Sequence, residues 1–165
     1  MPTWIIDDGP LDHLAMVVAS VDVGVWPKGE YFVADQTARA AGGNRKALLE
    51  AAASPFQAFS IMYGSRAFDV LYQHLREPTA SDKDLAEHQS IAWAMEERQD
   101  AVFVAQDQRA AFLALAELGR SRAAHPTQLW LHLRDQGLVT PEQFRALCER
   151  TRRSYQSKIP LRCQH

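Results

Sequence analysis

IAWAMEERQDAVFVAQDQRA, residues 91–110, changes its hydrophobic period twice. Ile91, Ala92 and Met95, with Leu85 ahead of them, fall on one face of a helix that runs to Glu97. Residues 101–105, Ala-Val-Phe-Val-Ala, are then apolar at every position, as in a strand covered on both faces. Asp107 opens a second helix, which the pattern carries to Leu118. A doubly buried strand between two helices belongs to a parallel sheet, because parallel neighbours are joined by helical crossovers.

The same alternation continues in both directions. Residues 3–6 read as a strand, Asp7-Asp8-Gly9-Pro10 as a turn, and Leu11, Leu14, Ala15 and Val18 as a helix. Residues 31–34 are a second strand ending at Asp35. An Ala-rich helix follows, interrupted at Gly42-Gly43-Asn44 and resumed over 45–53. Residues 58–63 give a third strand closed by Gly64, after which Ala67, Val70, Leu71 and Leu75 carry a helix to Pro78. Ser81, three residues ahead of Asp84, has the spacing of a capping box and starts the helix that ends at Glu97. Beyond Leu118 come a short fifth strand near 121–124 and helices over 127–136 and 141–152, the last with Thr140 as cap and Pro141 at its first position. The pattern predicts an α/β fold: a three-layer α/β/α sandwich on a central, mainly parallel sheet of four to five strands.

Composition narrows the field. The 165 residues make one domain spanning 1–165, with a basic C-terminal tail from about 152, and 47% hydrophobic with 23% charged residues is a globular balance that excludes disordered and collagen-like chains. Two cysteines, Cys148 and Cys163, are too few for a disulfide framework and lack zinc-ligand spacing, which points to a reducing, cytoplasmic setting. No run approaches the ~20 apolar residues of a membrane span, and the acidic start MPTWIIDDGPLD is unlike a signal peptide, so no membrane partner is expected. The net charge of −2 is uneven. Residues 1–108 carry 8 Lys and Arg against 16 Asp and Glu, and residues 109–165 carry 10 against 4. The basic half suits either an anionic partner or a solvated basic helix.

Catalytic sets other than acids are missing. The six histidines form no HExxH pair, no Ser-His-Asp or Cys-His set can be assembled, and Gly42-Gly43-Asn44 lacks the context of a phosphate loop. Trp4, Trp26, Trp93, Trp130 and Cys148 lie in or beside apolar runs and read as core. The acids are more informative. In a parallel sheet the strand C-termini and the following helix N-termini share one edge, where open α/β sheets bind ligands. Asp7, with Asp8 beside it, Asp35 and Asp107 follow three of the strands, and Glu87 lies in the opening turns of the helix before the fourth. Each Asp could be a helix cap and nothing more. Together they form an all-oxygen set suited to Mg²⁺ or Mn²⁺, which could activate water at a phosphodiester.

Three stretches resemble a known family. Ile5-Ile6-Asp7-Asp8-Gly9-Pro10-Leu11 is similar to the opening motif of PIN-domain ribonucleases, apolar-apolar-Asp-x-x-Pro-Leu. Residues 84–94 resemble the motif Asp-x-Gly-Glu-x-x-Ala-Ile-x-x-Ala of a toxin-type (VapC-like) subgroup, and Val102 to Ala110 resembles the strand and Thr-x-Asp-x-x-Ala that follow it. The helical tail from Thr127 to Thr151 is also like that subgroup's. The resemblance implies an endoribonuclease that cleaves single-stranded RNA with Mg²⁺ or Mn²⁺ held by Asp7, Glu87 and Asp107, and with Asp8 and Asp35 as lesser ligands. It also implies RNA contacts from Arg109, Arg152 and Arg153, and either an antitoxin protein or a second copy as partner. The sequence departs from the pattern at three points. The acid expected in the helix after strand two is replaced by Ala38-Arg39-Ala40, the Thr by Ala105 and the Gly by Ala86. The alternative is therefore a PIN-fold module with a decayed site that binds RNA or a protein.

Overall fold

A computed structural model of the chain describes residues 2–154. Five strands, β1 (Thr3–Ile6), β2 (Tyr31–Ala34), β3 (Phe56–Phe59), β4 (Ala101–Val104) and β5 (Ala123–Ala124), form one sheet in the order β3-β2-β1-β4-β5, every pair parallel. Among the described residues eight α-helices connect and cover them: α1 (Asp8–Val17), α2 (Asp35–Ala40), α3 (Gly43–Glu50), α4 (Arg66–Asp69), α5 (Leu85–Glu96), α6 (Gln108–Leu118), α7 (Pro126–Asp135) and α8 (Pro141–Ser154). A 3₁₀ turn at Asp22–Val25 follows α1, and α4 runs directly into a π-helical stretch, Val70–Leu75.

Strand residues alternate between two cores, as the pleat requires. Trp4, Ile6, Tyr31, Val33 and Val104 pack with Leu11, Leu14, Leu129, Trp130, Leu133 and Leu147 of α1, α7 and α8. Ile5, Phe32, Ala34, Ala101 and Phe103 face Ile91, Ala94, Ala110, Ala114 and Leu118 of α5 and α6. This is the expected three-layer arrangement, and β1, β2 and β4 lie where the apolar runs put them. Trp4, Trp26, Trp130 and Cys148 are buried, while Trp93 is half-buried and stacked on Phe59 at 4.1 Å between ring centroids.

Three local expectations are corrected. The third strand is Phe56–Phe59, because Phe56 pairs with Tyr31 and Phe59 with Ala34; the apolar run 61–63 lies beyond the register, with Met62 and Tyr63 exposed. Ser81 does not cap α5. Asp84 takes the cap position with a left-handed backbone (φ 61°), which Asp tolerates better than most residues, and it makes no side-chain cap bond. The fifth strand shrinks to two residues. Thr140 caps α8 as read, its hydroxyl accepting from the Gln143 N–H at 3.1 Å while the Gln143 side chain accepts from the Thr140 N–H at 2.9 Å. That helix runs on to Ser154, and the remainder of the predicted basic tail lies outside the described residues.

Two polar links fasten the layers. Arg122, just before β5, donates to the carbonyls of Ala101 and Arg98 at 3.0 Å each and to that of Ala94, which ties the end of α5 to β4. The Trp130 indole N–H donates to the Thr151 hydroxyl at 2.9 Å, which donates to the Leu147 carbonyl at 2.7 Å, locking α7 to α8. Thr151→Val keeps the shape but strands a buried N–H, which costs about 1–3 kcal/mol. Thermal melting of this variant should fall by roughly 3–9 °C, and an unchanged melting temperature would show that the bond is worth little.

Candidate functional site

The strand order reverses at β1, whose partners β2 and β4 lie on opposite sides of it. Open α/β sheets have a crevice at such a reversal, beyond the strand C-termini. Here it is a cleft of about 900 Å³ whose lining includes Asp7, Asp84, Glu87, Gln106, Asp107 and Arg109. Asp7 follows β1, Asp107 comes shortly after β4, and Asp84 and Glu87 sit at the start of α5.

The helix-cap reading of these acids now divides. Asp7, Asp84 and Asp107 occupy the cap positions of α1, α5 and α6, but only Asp107 makes the bond, its Oδ2 accepting from the Ala110 N–H at 3.0 Å. Asp7 is buried on the cleft floor, and Asp107 is exposed at its rim. Asp8 also lines the cleft and faces Arg45 at 3.5 Å. Asp35 is not in the lining; it opens α2 and pairs with Arg39 at 2.8 Å. Arg109 is 76% exposed and stands 3.9 Å from Asp84. Arg152 and Arg153 pair with Glu149 on α8 and do not line the cleft.

The electrostatics of the floor are unusual. Burial, the charge of Asp8, and to a lesser extent Asp107 and Asp84 push the Asp7 carboxyl up to about 7, against the pull of the Asp8 backbone N–H. Glu87 is also lifted to about 7, by burial first and then by Asp7, Asp84 and Asp107, with Arg109 opposing. Six acids and two bases line the cleft, so the protein itself leaves the negative charge uncompensated. As placed, no group of three His, Cys, Asp or Glu side chains among the described residues is arranged to hold a metal ion. The donor chemistry nevertheless fits a hard cation, since every charged acceptor in the lining is a carboxylate oxygen.

Two features of the site were not selected from sequence. Asp84 was visible, since Asp84 and Glu87 at i, i+3 share a helix start, but the capping-box reading absorbed it. The other is a pairing 93 residues apart in sequence, for which sequence gives no signal. His13 of α1, only 3% exposed, bonds through Nε2 to Gln106 Oε1 at 2.6 Å, and a Cβ placed on Gly9 would stand 3.3 Å from Gln106 Cβ. Burial holds the His13 pKa below its ordinary value, helped by Arg150, with Gln106 and Asp12 opposing.

Comparison with protein-family models, with curated proteins and with solved structures finds no match to this chain. Among the described residues no helix is long and apolar enough to cross a membrane.

The acid pair generates a stability prediction. The folded chain keeps the Asp7 proton up to about pH 7, whereas the unfolded chain releases it near 3.8, so stability falls as pH rises through that window and then levels off. In EDTA, Asp7→Asn should therefore stabilise the protein at pH 8 by on the order of 2–4 kcal/mol, and by progressively less toward pH 5. Melts of both proteins across that range test this, and a variant no more stable at pH 8 than at pH 5, relative to wild type, would contradict it.

Proposed function

We propose that this chain is a divalent-metal-dependent endoribonuclease of the PIN type that cleaves single-stranded RNA in the crevice between β1 and β4. The observation that carries the reading is the meeting of Asp7, Asp84, Glu87 and Asp107, from three distant parts of the sequence, in one cleft at the point of strand reversal. The three ordered motifs supply the substrate class. A cleft this acidic repels a phosphodiester until positive charge covers its floor, so metal and substrate are coupled.

Asp7, Glu87, Asp107 and Asp84 would hold the ion. Asp107 spends Oδ2 on the α6 cap and keeps Oδ1 for ligation. Bound Mg²⁺ or Mn²⁺ would supply charge neutralisation at the phosphate and a more acidic water. Asp84 brings to the cleft a further carboxylate where the helix-two acid of the family pattern is absent, which favours a working site over a decayed one. Arg109, exposed and 3.9 Å from Asp84, would bond a phosphate oxygen of the bound strand. Gln106 adds to the lining without adding charge.

The test is cleavage of a mixed-sequence single-stranded RNA by purified protein in Mn²⁺, in Mg²⁺ and in EDTA, with Glu87→Gln prepared in parallel. We expect cutting that requires metal and falls roughly 100-fold or more in the variant, the scale of losing several kcal/mol of charge stabilisation. Equal products from both proteins, or none across a range of RNAs, would replace this reading with the binding module, which the missing helix-two acid favours.

A further inference from the structure

We propose that the His13–Gln106 hydrogen bond is a clasp that sets the separation of the Asp7 and Asp107 carboxylates, making both residues positioning residues for a divalent cation in the cleft. The inference rests on the metal-dependent reading above and adds to it two residues that carry no charge in the site.

At the reversal of strand order the chain leaves β1 for one face of the sheet and β4 for the other. Leu11 and Leu14 of α1 belong to one core, and Ala110 and Ala114 of α6 to the other. The two junctions therefore diverge, and a crevice opens between them. Something must fix how far they part, because a shift of about 0.5 Å in ligand spacing already degrades a metal site. The main chain fixes one side: the Asp7 N–H donates to the Val104 carbonyl at 3.1 Å. That bond anchors Asp7 to the last residue of β4, and the Ala105 N–H donates to the Ala124 carbonyl of β5 at 3.2 Å. On the side facing α1 the turn is held by Gln106. Its side chain crosses to α1, where it packs against Gly9 and bonds His13 at 2.6 Å.

The chemistry of the bond suits positioning better than packing. Gln106 presents a carbonyl oxygen, so the His13 hydrogen is on Nε2 and Nδ1 is left as an acceptor. Nδ1 is buried and has no partner among the described residues. An apolar residue would fill the same space beneath α1 without that cost. Gly9 supports the link from the other side, since any side chain there would press on Gln106 and move the clasp. Residues that orient a metal's ligands typically change its affinity by 10–100-fold, and this pair would act on the ligands through the turn that carries Asp107.

Mn²⁺ binding to the full chain, measured by titration calorimetry, tests the clasp without reference to activity. His13→Leu removes the donor, Gln106→Met removes the acceptor at constant length, and His13→Gln returns an amide donor at similar reach. Each of the first two should weaken Mn²⁺ binding roughly tenfold or more. The double variant should bind no more weakly than either single one, as coupled partners do. His13→Gln should recover most of the loss, and Gln106→Met should melt close to wild type in EDTA. Unchanged Mn²⁺ affinity in Gln106→Met overturns the clasp alone, whatever His13→Leu does to the fold. No Mn²⁺ uptake by the wild-type chain overturns the metal reading, and the clasp with it.

Discussion

Parallel pairing of β1 with β2 on one side and β4 on the other is the constraint from which the remaining features follow. Right-handed crossovers allow a parallel strand to be reached only from a fixed side. Building the sheet outward in both directions from β1 therefore sends the helices after β1 and β4 to opposite faces. The register Ile6↔Val104 brings the two strand ends level, so the turns that carry Asp7 and Asp107 leave the same edge of the sheet on either side of the gap. The cleft exists because two chains leave one edge in different directions, and its depth is what buries Asp7.

Concentrating carboxylates at such a point costs stability, and the fold offsets part of that cost with backbone. Asp7, Asp84 and Asp107 stand at the N-terminal ends of α1, α5 and α6, so three helix dipoles direct their positive ends at the acids. The compensation is incomplete on the floor, where burial outweighs it and Asp7 and Glu87 retain protons near neutrality. The two faces of the sheet, by contrast, are closed by apolar cores around Trp130 and Ile91. Stability resides in the layers, and the unfavourable charge sits at one edge of them.

This division explains what the sequence made legible. Doubly buried strands have no polar face, so β1, β2 and β4 stand out as apolar runs, and the acids at their ends follow from the rule for parallel sheets. Where apolar residues are exposed the same reading fails. Met62 and Tyr63 extended the third strand on paper although both lie in solvent. Asp84 was misplaced for a related reason: a capping box and a left-handed cap share the same residues, and only the backbone angle separates them. The contact between His13 and Gln106 joins α1 to the turn after β4, and no periodicity records a bond between residues that distant in sequence.

The two outer strands of the sheet are unequal. β5 is two residues long and offers almost no ladder, whereas β3 has four residues and exposes Gln57 and Ala58 between its buried ends. An outer strand with one unpaired row of N–H and C=O groups is a template for another chain. Gln57 and Ala58 carry no charge and β3 contains no proline, so nothing in the strand itself discourages such addition. Of the two edges, the one at β3 therefore offers the longer row of backbone groups to a further strand, at the far side of the sheet from β5.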